Sequence, residues 1–237
     1  MRVTTYNIHR AIGGDGRQDP SRVANVLWEI AADVVALQEV NFRSDIPDNV
    51  LEQLAAVTGL DYIAGATLED ERGHYGNAVL TRRHPSSVSH HDISVPGREP
   101  RGAIELDFQE GGITTRIVAT HLGLRPGERR AQLGQLLPLF ERDPPDVSIL
   151  LGDLNEWFLY GQPLRRLRRA FGSAPAPATF PARLPVFALD RLWVRPISLI
   201  QSVSAHRSRL ATEASDHLPL VADLALDLLD GERNVRE

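Results

Sequence analysis

The chain contains no cysteine, which removes disulfides, thiolate metal sites and cysteine nucleophiles. Lysine is missing too: all 26 basic residues are arginine, so neither a Schiff base nor a P-loop lysine is available. No apolar run approaches the length that spans a bilayer. The first residues, Met1-Arg2-Val3-Thr4-Thr5-Tyr6-Asn7, enter a strand pattern at once and carry no hydrophobic segment of a secretory signal. These two absences lead us to expect a cytoplasmic protein without stable membrane insertion. Positive charge is also short, with 26 basic residues against 31 acidic ones and a net charge of -5. That argues against a protein gripping long stretches of nucleic acid by phosphate contacts alone, although a local basic cleft survives the argument.

What remains is an ordinary globular composition, 42% hydrophobic and 24% charged. A length of 237 residues suffices for one large domain and is small for two, so residues 1–237 read as one domain. Val147-Ser148-Ile149-Leu150-Leu151 reads as a strand buried on both faces. Asp19-Pro20 reads as the cap and first position of a helix over residues 20–32. In that helix Val23, Val26, Leu27 and Ile30 recur at helical spacing, and Trp28 is assigned to the core. Asp33 to Glu39 is a second buried strand; strand, helix and strand at this spacing form a right-handed crossover. Further helices are expected near residues 49–57, 127–142 and 163–171. Further strands are expected at 62–67, 76–82, 90–95, 103–108, 114–121, 186–194, 200–206 and 218–226, with a frayed polar tail from Asp230. Helices interspersed among hairpins favour a four-layer α/β sandwich over a purely parallel wound sheet. In it, two mixed β-sheets pack face to face with helices on the outside.

The chemistry gathers where the apolar runs stop. Gly152 turns the backbone after the central strand, and Asp153 and Asn155, two apart, point to one side of its carboxyl end. That rim is where ligands sit in open α/β sheets. Asn7, Glu39, His121, Asp190, Asp216 and His217 likewise lie beside hydrophobic runs. Oxygen donors without thiolates suit a hard cation, Mg2+ or Mn2+. A hard cation beside Asn and His donors suits phosphate-ester hydrolysis.

Each residue also has a plainer reading: Asp153 a helix cap, Asn155 and Asn7 turn formers, Asp190 a salt bridge to an arginine. Adjacent His90 and His91 face opposite sides of a strand, one at the surface and one half-buried. Arg165, Arg166, Arg168 and Arg169 flank the apolar face of Leu164, Leu167 and Phe171 and form a mostly solvated rim. A secondary role on anionic lipid or nucleic acid is the weaker reading of that cluster. Trp157, next to the site, reads as a substrate platform.

Six short segments carry a resemblance. Tyr6-Asn7-Ile8, Leu37-Gln38-Glu39, Thr120-His121-Leu122, Gly152-Asp153-Leu154-Asn155, Leu189-Asp190-Arg191 and Ser215-Asp216-His217 stand in order along the chain. Together they resemble the motifs of the endonuclease/exonuclease/phosphatase superfamily, the deoxyribonuclease I-like group, and in particular a small bacterial branch of it. The resemblance implies that Glu39 is the principal metal ligand, with Asn7 beside it and Asp216 contributing directly or through water. It implies that Asn155 and His121 hydrogen-bond the phosphoryl oxygens and that Asp190 orients His217. Either Asp153 or His217 is then the base, and the motifs leave both open. Some nuclease branches carry an acid two positions after the first Asn, where this chain has His9. Asn77, Arg10, Arg82 and Arg125 are candidates for substrate contact.

The expected activity is therefore a divalent-metal-dependent phosphoesterase, acting on diesters in preference to monoesters. Family frequency alone favours a nuclease; a phosphodiesterase or phosphatase on lipid or inositol phosphates comes next. A non-catalytic phosphate-binding module on the same scaffold is the reading from a different class, and it predicts a missing site residue.

Overall fold

The computed structural model describes residues 1–42, 49–70, 73–226 and 228–229. The first half of the chain runs through β1 (Arg2–Asn7), α1 (Pro20–Ile30), β2 (Val34–Phe42), α2 (Val50–Thr58), β3 (Asp61–Asp70), β4 (Gly73–Thr81), β5 (Ser87–Asp92) and β6 (Gly102–Glu110). The second half runs through β7 (Ile113–His121), α3 (Pro126–Leu136), β8 (Val147–Asp153), α4 (Gln162–Phe171), β9 (Asp190–Arg195), β10 (Ile200–Ala205), α5 (Arg209–Ala214) and β11 (Leu220–Leu224). Six strands form one sheet in the order β10-β11-β1-β2-β4-β3, and five form the other, β5-β6-β7-β8-β9. Both sheets are mixed: β1 with β2 and β7 with β8 are parallel, and the other neighbours antiparallel.

The layering follows from the period of two in each strand. Val34 and Ala36 of β2 face Ile149 and Leu151 of β8 in one core between the sheets. Val35 and Leu37 face the other way, against Val23, Val26, Leu27 and Ile30 of α1. On the far side, Leu150 of β8 packs with Leu133 and Leu136 of α3 and Leu164 and Leu167 of α4. Strands covered on both faces read as unbroken apolar runs for this reason. The result is the four-layer α/β sandwich expected.

Several boundaries differ from expectation, each with a local cause. Trp28 is 69% exposed, because it sits about 100° round the helix from its neighbour Leu27, off the buried stripe. The helix expected over 127–142 ends at Leu136 and continues as a 3-10 turn, Leu137–Phe140; Pro138 there has no N–H to continue the α ladder. β5 lies three residues earlier than expected, and its edge position leaves it too exposed for burial to mark its register. Residues 186–189 are not strand: Phe187 pairs with Phe180 in an isolated bridge, and β9 begins at Asp190. The six-residue α5, capped by Ser208 through its bond from the Ala211 N–H, went unanticipated because it is too short to show periodicity. The tail from Asp230 lies outside the described residues. No described helix is long and apolar enough to cross a membrane.

The topology collects the polar segments at one rim. The carboxyl ends of β1 and β2, and of β7 and β8, lie side by side because those pairs are parallel. Asp153 pairs across from Asp190 at the start of antiparallel β9. β11 runs antiparallel to β1, with Thr5 opposite Leu220, so residues 215–217 enter beyond Asn7.

Candidate active site

Local backbone distortions aim the side chains into this rim. The register of β2 against β4 shifts between Leu37 and Val40, and Glu39 within the shift has φ 56°. Such a bulge turns a side chain away from the strand's alternation. Asn155 has φ 50° immediately past β8. Gly152 has φ 150°, and a Cβ there would lie 1.8 Å from the Thr120 carbonyl oxygen. Only glycine lets β8 approach β7 this closely while Asp153 is presented. Left-handed conformations at two non-glycine site residues are costly, and such strain gathers at functional centres.

Asp153 is the hub. Its Oδ2 accepts from Asn7 Nδ2 at 3.1 Å and stands 3.5 Å from His121 Nε2 and 3.9 Å from His217 Nε2. Its Oδ1 accepts from the Asn155 backbone N–H at 2.9 Å. The same Asn7 amide donates to Glu39 Oε1 at 3.0 Å, while Asn7 Oδ1 accepts from the His9 backbone N–H. The amide thus offers its N–H groups to two carboxylates and its oxygen to the backbone, an orientation suited to positioning Glu39 and Asp153 rather than to ligating a cation. Asn155 Nδ2 donates to the Leu122 carbonyl at 2.9 Å and lies 3.0 Å from His121 Nε2. One amide N–H therefore serves the Leu122 carbonyl, and the same nitrogen braces the His121 ring.

His217 and His121 hold opposite charge states although both are buried. His217 Nδ1 lies 2.8 Å from Asp190 Oδ2, which also accepts from the Thr179 hydroxyl at 2.6 Å. Burial works against the imidazolium, but the charge and hydrogen bond of Asp190, then Asp153 and Asp216, outweigh it and raise the pKa to about 10. For His121 burial dominates; the attraction of Asp153 is opposed by Arg101 and His217, and the pKa falls to about 4. At neutral pH the site thus holds one imidazolium and one neutral imidazole.

The carboxylates outnumber that cation. Asp153, Asp190 and Asp216 act on one imidazolium, and Glu39 joins Asp153 through the Asn7 amide. Asp216 is 44% exposed at its side chain and Glu39 is half-buried, and each keeps an oxygen with no hydrogen-bond partner among the described residues. An excess of carboxylate oxygens open to solvent, with no sulfur donor, fits a hard dication. Atoms of Asp153, Asp190 and His217 also fall within 4.8 Å of one another. That trio is explained by the Asp190–His217 hydrogen bond, which occupies the imidazole nitrogen nearest the acid.

The remaining candidates are dispersed. Arg10 lies over the Tyr75 ring at 5.0 Å, in a depression of about 400 Å3 also lined by Asn41, His74 and Glu99. Tyr75 borders the site: its hydroxyl is shifted upward by burial and then by the charge of Glu39. Asn77 is buried and donates to the Gly102 carbonyl at 3.0 Å, bridging the two sheets rather than facing an open mouth. Arg125 lies at the start of α3, exposed, beside a depression lined by Arg98, Glu99 and Arg101. Arg82 lies at the opposite end of the sheet, paired with Asp33, which removes it as a substrate contact. Trp157 packs edge-on against Phe180 and Phe187, and the Phe180 ring centre lies 4.8 Å from that of His217. Sequence reasoning missed Thr179, which holds Asp190, and Arg101, a buried guanidinium whose charge reaches His121. Neither has a local pattern that could have marked it.

Comparison with known proteins adds an independent line. The model of the Endonuclease/Exonuclease/phosphatase family matches residues 4–217. An uncharacterized protein of Escherichia coli K12, YbhP, is 32% identical over 245 residues, covering 95% of this chain and 96% of its own. A solved endonuclease/exonuclease/phosphatase from Beutenbergia cavernae superposes with a TM-score of 0.72 at 24% identity, covering 95% of this chain and 71% of that one. The mannosyl-6-phosphatase Bt3783 of Bacteroides thetaiotaomicron gives a TM-score of 0.70 at 17% identity, covering 95% of this chain and all of its own.

Proposed function

Because the chain belongs to the endonuclease/exonuclease/phosphatase family, we propose that it acts as one catalytic domain hydrolysing phosphodiester bonds with a divalent metal, Mg2+ or Mn2+. The observation that carries this reading is the meeting of Glu39, Asp153, Asp216 and the Asp190–His217 pair at one rim. In this reading Glu39 and Asp216 hold the dication, with Asp153 beside them. A bound dication would neutralise the phosphoryl oxygens and orient the ester.

The chain's own residues supply the rest. Asp153, fixed by Asn7 and the Asn155 N–H, takes the proton of the attacking water. His217, held charged by Asp190, donates to a phosphoryl oxygen, where negative charge grows in the transition state. Its raised pKa makes it a poor base at neutral pH and supports Asp153 in that role. His121, neutral and braced by Asn155, completes the wall around Asp153. Asn7 acts as a positioning residue for the two carboxylates. Arg10, above Tyr75 at the border of the site, is offered for contact with a substrate phosphate.

The test is hydrolysis of bis-p-nitrophenyl phosphate with Mg2+ or Mn2+, with chelator, and with Asp153→Asn. We expect chelator to abolish turnover, added Mg2+ or Mn2+ to restore it, and Asp153→Asn to lower kcat about 10²–10⁴-fold. Turnover indifferent to chelator removes the metal from the reading. Phosphate binding without hydrolysis of any diester, nucleic acid or phospholipid makes the protein a binding module instead.

A further inference from the structure

Beside the catalytic rim lies an apolar edge that the chemistry does not use. Phe158, Leu159 and Tyr160 follow the site strand and are 67%, 59% and 77% exposed. Leu184 and Val186, in the turn between Phe180 and Phe187, are 73% and 61% exposed. Trp157 joins the two loops through its edge-on packing with Phe180 and Phe187. Single exposed apolar residues are ordinary; a group of this size on adjoining loops marks an interaction surface.

The charge around this edge is positive and uncompensated. Arg165 Nη1 donates to the Tyr160 carbonyl at 2.9 Å and Arg168 Nη2 to the Leu159 carbonyl at 3.2 Å, so α4 flanks the loop directly. Arg166 Nη1 donates to the Arg130 carbonyl, and Arg169 is exposed. None of these four arginines pairs with a carboxylate among the described residues, in a chain whose net charge is -5. Arginines with a share of free N–H groups beside large apolar tips match two layers at once: lipid phosphates and the acyl boundary beneath them. A nucleic-acid strand could stack on Phe158 and Tyr160, but Leu159, Leu184 and Val186 interleave them with aliphatic tips that offer no stacking face and suit acyl chains instead.

We propose that this edge docks the protein on an anionic phospholipid bilayer. Phe158, Leu159 and Leu184 enter the boundary of headgroups and acyl chains, while Arg165 and Arg169 meet lipid phosphates. The Phe180 contact with His217 puts the docked edge next to the catalytic mouth. The proposal goes beyond the hydrolase reading and does not depend on turnover.

Flotation with phosphatidylglycerol/phosphatidylcholine vesicles, against pure phosphatidylcholine, tests it, with chelator present so that no dication bridges protein and lipid. Binding is expected to the anionic vesicles and to weaken with salt. The Phe158→Ser/Leu184→Ser variant is expected to lower partitioning by on the order of tenfold or more. The Arg169→Glu variant, on an exposed helix position, is expected to lower it by about fivefold or more. Both variants keep wild-type turnover of soluble bis-p-nitrophenyl phosphate, and a protein inactive on that diester still gives a readable flotation. No binding to anionic vesicles, or binding that neither variant weakens, overturns the proposal. So does tighter binding to a single-stranded oligonucleotide than to vesicles, or a sedimentation-velocity dimer that the Phe158→Ser/Leu184→Ser variant dissolves.

Discussion

Replacing Asp190 by Asn isolates the origin of the charge on His217. The substitution keeps the shape of the side chain but removes the charge 2.8 Å from His217 Nδ1. The shift from 6.5 to about 10 corresponds to on the order of 5 kcal/mol in favour of the imidazolium, at about 1.4 kcal/mol per pKa unit. Asp190 contributes twice, by charge and by hydrogen bond, against the opposing effect of burial; Asp153 and Asp216 add less. Without Asp190, only Asp153 and Asp216 oppose burial, and the His217 pKa should drop by roughly two units or more. Because the pKa is raised in the folded protein, the imidazolium is complete below the ordinary value and disappears as pH rises through the raised one. Wild-type turnover should therefore hold at alkaline pH until His217 deprotonates, while Asp190→Asn loses rate at a lower pH. Near about pH 9, where wild-type His217 is still charged, the variant's kcat should fall about tenfold or more below wild type with little change in KM. His217→Ala should cost about 10²–10⁴-fold, and adding Asp190→Asn to it little more, since the pair acts as one unit. NMR titration of labelled histidine in the metal-free protein reads the pKa directly. A variant in which His217 still titrates near 10, or which keeps near-full rate at about pH 9, refutes the reasoning.

Three further outcomes follow from the geometry. His121, depressed to about 4 by burial, should remain neutral across the range where an ordinary imidazole titrates, and it makes stability fall as pH drops from 6.5 through 4. Urea unfolding of His121→Gln should show on the order of 3 kcal/mol less of that acid loss than wild type; equal losses would falsify the assignment. Gly152→Ala should destabilise by on the order of 3 kcal/mol or more, since its Cβ meets the Thr120 carbonyl at a backbone angle reserved for glycine. The contrasting Gly127→Ala, in α3 with open space around it, should be neutral or stabilising by up to about 1 kcal/mol, and denaturant midpoints for the two variants decide between these outcomes.

The architecture was legible because its central strands are covered on both faces, so β2 and β8 appear as runs dominated by apolar residues. The rim residues were legible for a related reason: a polar residue directly after such a run has nowhere to go but the edge of the sheet. Glu39 and Asp153 could be picked out that way, and His217 by standing just before one, though their meeting depends on strand order. What escaped depends on contacts between distant segments. Thr179 sits in a Pro/Ala-rich loop with no pattern, and only the fold brings it to Asp190. Arg101 reads as an ordinary loop arginine just before β6, and only in the fold is it buried. Arg82 failed for the converse reason: its strand was recognised, but which end of β4 faces the rim follows from antiparallel pairing with β2. The orientations of the Asn7 and Asn155 amides are set by the His9 N–H and the Leu122 carbonyl, partners that residue type alone does not reveal.

Anomalous diffraction from crystals grown with Mn2+ tests the central claim most directly. The account predicts a manganese peak bounded by the carboxylates of Glu39 and Asp216 on the Asp153 side of the rim. It is contradicted by crystals with no peak there, or with the ion seated between Asp190 and His217.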